Sequence, residues 1–168
     1  MHSASELLSL IAELGLGFAG FLAIFLIFAR RESRFSPADG IRVRGIVYAS
    51  FVAIFMALLP LLLMQVELGE ITMWRASSVV FLLVGIFVCA SIGRAQLSAS
   101  ADERAGVGFL NNVVTWGISA LALALALLGT NAVGGFGEPS APPYLTALVL
   151  SLGVATSNFV TIAIQRLL

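Results

Sequence analysis

Five long apolar stretches alternate with short polar connectors along the chain: Leu7–Ala29, Ile46–Met64, Ala76–Ile92, Phe109–Leu128 and Leu145–Leu167. Each is close to the ~20 helical residues that a bilayer core requires. Their apolar residues do not alternate with polar ones, as the strands of a membrane barrel would. A helix satisfies its own backbone hydrogen bonds in lipid. The pattern therefore predicts an all-α integral membrane bundle of five transmembrane helices. No polar stretch is long enough to bury a core of its own, so residues 1–168 read as a single transmembrane domain.

The connectors orient this object. Arg30, Arg31, Arg34, Arg42 and Arg44 crowd the first one; Arg94 and Arg104 lie in the third, and Arg166 near the last residue. Arg75 alone falls on the other side. Basic residues concentrate in cytoplasmic loops, so the N-terminus is expected outside and the C-terminus in the cytoplasm. The first run has no basic segment before it, carries Glu6, and is followed by arginines, which predicts a retained span and not a cleaved signal. Ser36-Pro37-Ala38-Asp39 reads as a helix start, with Ser at the cap and Pro at the first helical position. Arg42 and Arg44 would then lie at headgroup level, where anionic lipid favours each by about 1 kcal/mol. The five connector arginines are expected to contact cytoplasmic lipid, with a specific ligand or protein partner as the alternative. Pro60 removes the donor to the Met56 carbonyl, which predicts a kink in the second span. The last connector, rich in Gly and Pro from Thr130 to Pro143, reads as irregular, either an external loop or one dipping back toward a cavity.

Composition agrees with the pattern. Hydrophobic residues make up 60% and charged residues 11%, against about 25% charged in soluble domains. The formal net charge is zero, so no nucleic-acid partner is expected; the bilayer and a second copy or another membrane protein are. Cys89 is the single cysteine and His2 the single histidine. That excludes an intramolecular disulfide, a CxxC site and a histidine-based metal or haem centre within one subunit. There is no P-loop, zinc motif or nucleophile elbow, so no enzyme, catalytic residue, cofactor or metal is expected.

Candidate chemistry is confined to polar residues within the spans. Gly15, Gly17 and Gly20 match a dinucleotide fingerprint, but no strand precedes them. Gly15, Ala19 and Ala23 repeat every four residues, as do Gly85, Cys89 and Gly93, a spacing that lets membrane helices approach closely. Glu13 shares one face with Glu6, Ser9, Gly17 and Gly20. A carboxylate within a span seeks water or a partner, and three readings stand open: an interfacial group, a buried hydrogen-bonded one, or an ion or proton site. The fourth span carries a seam of Asn112, Thr115, Ser119, Ala122 and Ala126. In the fifth, Ser151, Asn158, Thr161 and Gln165 form another, interrupted by Val154. The two seams are expected either to hydrogen-bond across the helix pair or to line a polar pathway. Trp74 and Tyr144 fit an outer aromatic belt, and Trp116 lies deeper.

Ala12-Glu13-Leu14-Gly15 with its following glycines, the Ser36-Pro37-x-Asp39-x-x-Arg42 connector and Ala57-Leu58-Leu59-Pro60 together resemble a group of small bacterial polytopic membrane proteins. The resemblance covers the first third of the chain; it implies a bacterial inner membrane and no activity. Two function classes follow from the residues. One is a homo-oligomeric channel or small transporter; the other is a non-catalytic membrane anchor or accessory subunit of a larger complex.

Overall fold

The computed structural model describes residues 2–31, 37–66, 68–98, 111–135 and 137–167. They form five helices: α1 (His2–Arg31), α2 (Pro37–Met64), α3 (Glu70–Ser98), α4 (Asn111–Val133) and α5 (Ala141–Leu167). There is no strand among the described residues. Four helices are long and apolar enough to cross a membrane, over Ser3–Ile24, Gly45–Met64, Glu70–Arg94 and Ala141–Thr161. The described apolar stretch of α4, Gly117–Val133, is shorter. Pro37 opens α2 as its fixed φ favours; Ser36, its expected cap, lies outside the described residues. The last connector is tighter than its composition suggests. Helix α4 continues through Thr130 and Asn131 to Val133, and α5 already includes Pro142 and Pro143. A proline in the first turn removes no intrahelical bond, so only 134–140 turn the chain, with Gly134 (φ 78°) and Gly137 (φ 101°) in the left-handed region.

Helices α2, α3, α4 and α5 close a ring, each touching the next and α5 returning to α2. Helix α1 lies outside it, against α2 and more lightly α5. The short links after α2 and α4 make those pairs antiparallel. Packing is densest at the end where α2 finishes and α3 begins. There Leu8 and Ile11 meet Met56, Ala57, Met73, Trp74, Phe81, Leu128, Tyr144 and Leu148. A smaller cluster at the other end joins Leu22, Ile46 and Ala155 with Phe18 and Phe159. Of the predicted ladder, Gly15 packs on α2, where a Cβ would stand 2.8 Å from Ile54 Cγ1 and 3.6 Å from the Ser50 carbonyl, whereas Ala19 is half-buried and Ala23 exposed.

Large apolar side chains point outward from every helix, among them Leu16, Phe55, Phe87, Ile118 and Val149. An exterior so rich in large apolar side chains suits lipid as the surrounding solvent. The aromatic belt, by contrast, is corrected. Trp74 is 1% exposed and Tyr144 0%, both in the core. Their rings lie 5.7 Å apart, and Phe81 meets Tyr144 edge-on at 5.6 Å. The Tyr144 hydroxyl donates to a buried carbonyl, that of Met56, and the Trp74 indole N–H to the exposed Glu70 carboxylate one turn earlier in α3, at 3.4 Å, so neither polar tip is left without a partner in the core. The side chain of Trp116 is not among those described.

Candidate functional site

Two buried polar nodes organise the α2–α3 end. The first begins with Pro60, which has no N–H to give the Met56 carbonyl one turn earlier. The Tyr144 hydroxyl donates to that carbonyl at 2.6 Å, from the first turn of α5. The orphan acceptor left by the proline is thereby satisfied by another helix, as a bilayer demands. The freed carbonyl follows from Pro60 alone; its donor stands 88 residues away, where no local pattern points.

The second node is Asn131, 2% exposed, which sequence reasoning placed in an irregular loop. Its Nδ2 donates to Ser78 Oγ at 2.9 Å and to the Ser140 carbonyl at 3.0 Å, while its Oδ1 accepts the Ser140 N–H at 3.0 Å. One side chain thus ties the end of α4 to the start of α5 and to α3. Ser50 and Ser77 are also fully buried, and their hydroxyl oxygens have no partner among the described residues.

Glu13 lies on the exposed side of α1. Glu6, Ser9, Glu13, Gly17 and Gly20 all face away from the bundle, whereas Leu8, Ile11, Gly15 and Leu22 are buried. The apolar face is wide enough to win the contact with α2, which turns the polar face outward. Space beyond that face is open: a Cβ on Gly17 or Gly20 would meet nothing within 4 Å. Among the described residues no helix of the same subunit covers this face.

Among the described residues, the expected α4–α5 seam does not form. Ser119, Ala122 and Ala126 are exposed, and Gly117, Ala120, Ala124 and Leu128 are buried instead. Helix α4 carries small residues on two opposite faces. The one with Gly117 packs on α5, where an added Cβ would meet Val154 Cγ1 at 3.7 Å. The α5 seam does point inward, with Ser151 and Thr161 buried and Asn158 half-buried. Its polar groups bond along their own helix: the Ser151 hydroxyl to the Ala147 carbonyl and Asn158 Nδ2 to the Val154 carbonyl, both at 2.9 Å. Such back-bonding satisfies the groups without a partner helix.

The side chains of Asn112, Thr115, Gln165, Arg30, Arg31, Arg42 and Arg44 are not among those described, and Arg34 lies outside the described residues altogether. No three His, Cys, Asp or Glu side chains converge among the described residues. No family model, curated protein or solved structure matches this chain.

Proposed function

We propose that the chain is a bacterial inner-membrane protein of five spans, N-terminus outside, that assembles with copies of itself into a channel or small transporter for a polar solute or ion. The observation that carries this reading is the outward polar face of α1. Glu13 sits there, exposed, on a face it shares with Glu6 and Ser9 on one side and Gly17 and Gly20 on the other. A carboxylate so placed favours a wet, protein-lined space over lipid. A ring of copies with α1 toward its axis supplies that space. The back-bonded α5 seam, buried inside each subunit, is a weaker candidate for the lining. The fourth span, α4, has 23 residues, about 34 Å of helix at 1.5 Å per residue, enough for a hydrocarbon core of about 30 Å. The arginine bias between connectors supports the orientation.

The other reading, an anchor or accessory subunit, draws on α4. Its exposed Ser119, Ala122 and Ala126 form a small-residue face of the kind that admits a neighbouring membrane helix closely. Reconstitution separates the two. Purified protein in liposomes should carry ions or small polar solutes above empty vesicles, and Glu13→Gln should change selectivity or pH dependence. Unaltered flux in Glu13→Gln would remove the α1 face from the pathway. No flux with any solute, together with a stoichiometric partner from native membranes, would favour the accessory role.

A further inference from the structure

The α4–α5 turn is recessed into the bundle. Asn131 and Ser140, which bracket it, are bonded to each other, and Asn131 is bonded to Ser78, eight residues into α3 from Glu70. Tyr144, in the first turn of α5, is bonded to Met56, eight residues before the end of α2 at Met64. Eight residues of helix span about 12 Å. Allowing for the reach of the side chains, the feet of the turn at Asn131 and Ser140 lie about 10 Å, or two helical turns, short of the tip made by α2 and α3, and the turn rises from them.

On the α2 side that tip is not built for water, whereas α3 exposes Glu70, Thr72 and Arg75 there. From Ala57 to Met64 α2 reads Ala-Leu-Leu-Pro-Leu-Leu-Leu-Met without a polar side chain. Leu58 and Leu62 of this run are exposed sideways, Leu62 at 60%, as lipid-facing residues are. At the level beneath, the turn exposes Gly135, Gly137 and the charged Glu138. Irregular backbone at membrane depth is stable only where protein covers it or water reaches it, and nothing described covers these residues.

We propose that the α4–α5 turn floors a water-filled notch, open to the bilayer surface on the α2–α3 side, with Glu138 at its base and Arg75 on the α3 wall above. Arg75 is exposed and precedes Ser78 by one turn. The notch rests on the reading that these helices cross a membrane, and it adds to that reading the entrance through which a polar solute would reach the protein interior.

Cysteine accessibility tests it. In a Cys89→Ser background, Glu138→Cys, Val133→Cys and Leu62→Cys are each treated with a membrane-impermeant maleimide in right-side-out and inverted vesicles. Labelling in denaturant sets the maximum. The deeper positions, Glu138→Cys and Val133→Cys, should react at least tenfold faster than the shallower Leu62→Cys, and the vesicle orientation in which they react reports which side the notch opens on. Equal rates at all three would overturn the notch by placing the whole level outside the bilayer. Turn cysteines as slow as Leu62→Cys would overturn it by showing the turn covered. Either turn variant suffices if the other fails to insert. Alkaline carbonate extraction checks the underlying reading independently: release of the protein as soluble material would defeat the membrane assignment itself.

Discussion

Tyr144→Phe isolates one atom whose loss should be felt more than a typical membrane hydrogen bond. Such bonds average only about 0.6 kcal/mol in double-mutant cycles, because the unfolded chain in lipid finds substitute partners. The Met56 carbonyl is different. Its helical donor is absent in every state, since position 60 is proline, and the Tyr144 hydroxyl at 2.6 Å takes that donor's place. Removing the hydroxyl leaves a buried carbonyl bare, a loss of about 1–2 kcal/mol. The same reasoning fixes how the effect depends on Pro60. Pro60→Ala restores an N–H opposite Met56, so Tyr144→Phe in that background should cost less than about 0.5 kcal/mol. Whatever Pro60→Ala itself does to packing cancels in the cycle. The assay is reversible unfolding in mixed micelles with increasing dodecyl sulfate, on wild type, both single variants and the double variant. A coupling of about 1 kcal/mol is expected. Additivity within about 0.3 kcal/mol would refute the account, showing that the carbonyl is not held by the tyrosine.

Two glycine substitutions should part company. In Gly15→Ala the new methyl meets Ile54 Cγ1 at 2.8 Å, a stiff β-branched side chain, and about 1–3 kcal/mol should be lost as α1 separates from α2. In Gly85→Ala the contact at the same distance is Leu125 Cδ2, the free end of a flexible chain, so unfolding curves should be nearly unchanged; equal losses would show that contact distance alone decides. Asn131→Ala removes three hydrogen bonds, about 2 kcal/mol at membrane values, and protease should cut the α4–α5 turn faster; wild-type stability and cleavage would dismiss Asn131 as an anchor.

The resistance of this fold to sequence reading has a specific pattern. Helix type and number were legible because each apolar run must close its own backbone hydrogen bonds in lipid, and only a helix does so over that length. Pro37 as a helix start and Pro60 as the source of a free carbonyl followed from the missing proline N–H, a local property. The contact at Gly15 was legible for a similar reason, since a four-residue ladder of small side chains is a local pattern. What failed was facing. Helix α4 has small residues on both sides, and Ser119, Ala122 and Ala126 looked as suitable for burial as Gly117, Ala120 and Ala124. The choice fell to the neighbours, which offered Val154 to one face and nothing to the other. Trp74 and Tyr144 had the composition of an interfacial belt; Trp74 finds its acceptor, Glu70, one turn earlier in its own helix, but only the folded bundle buried both rings and placed the Met56 carbonyl within reach of Tyr144.

By itself, then, the sequence determined that the chain is a bundle of apolar helices, because the demand to satisfy every backbone group acts within each segment. Tertiary structure alone decided the partner of the Met56 carbonyl, the burial of Asn131, and the outward turn of Glu13. Those outcomes depend on which faces of separate helices meet, and residues 53 or 88 positions apart leave no periodic trace of each other in the chain.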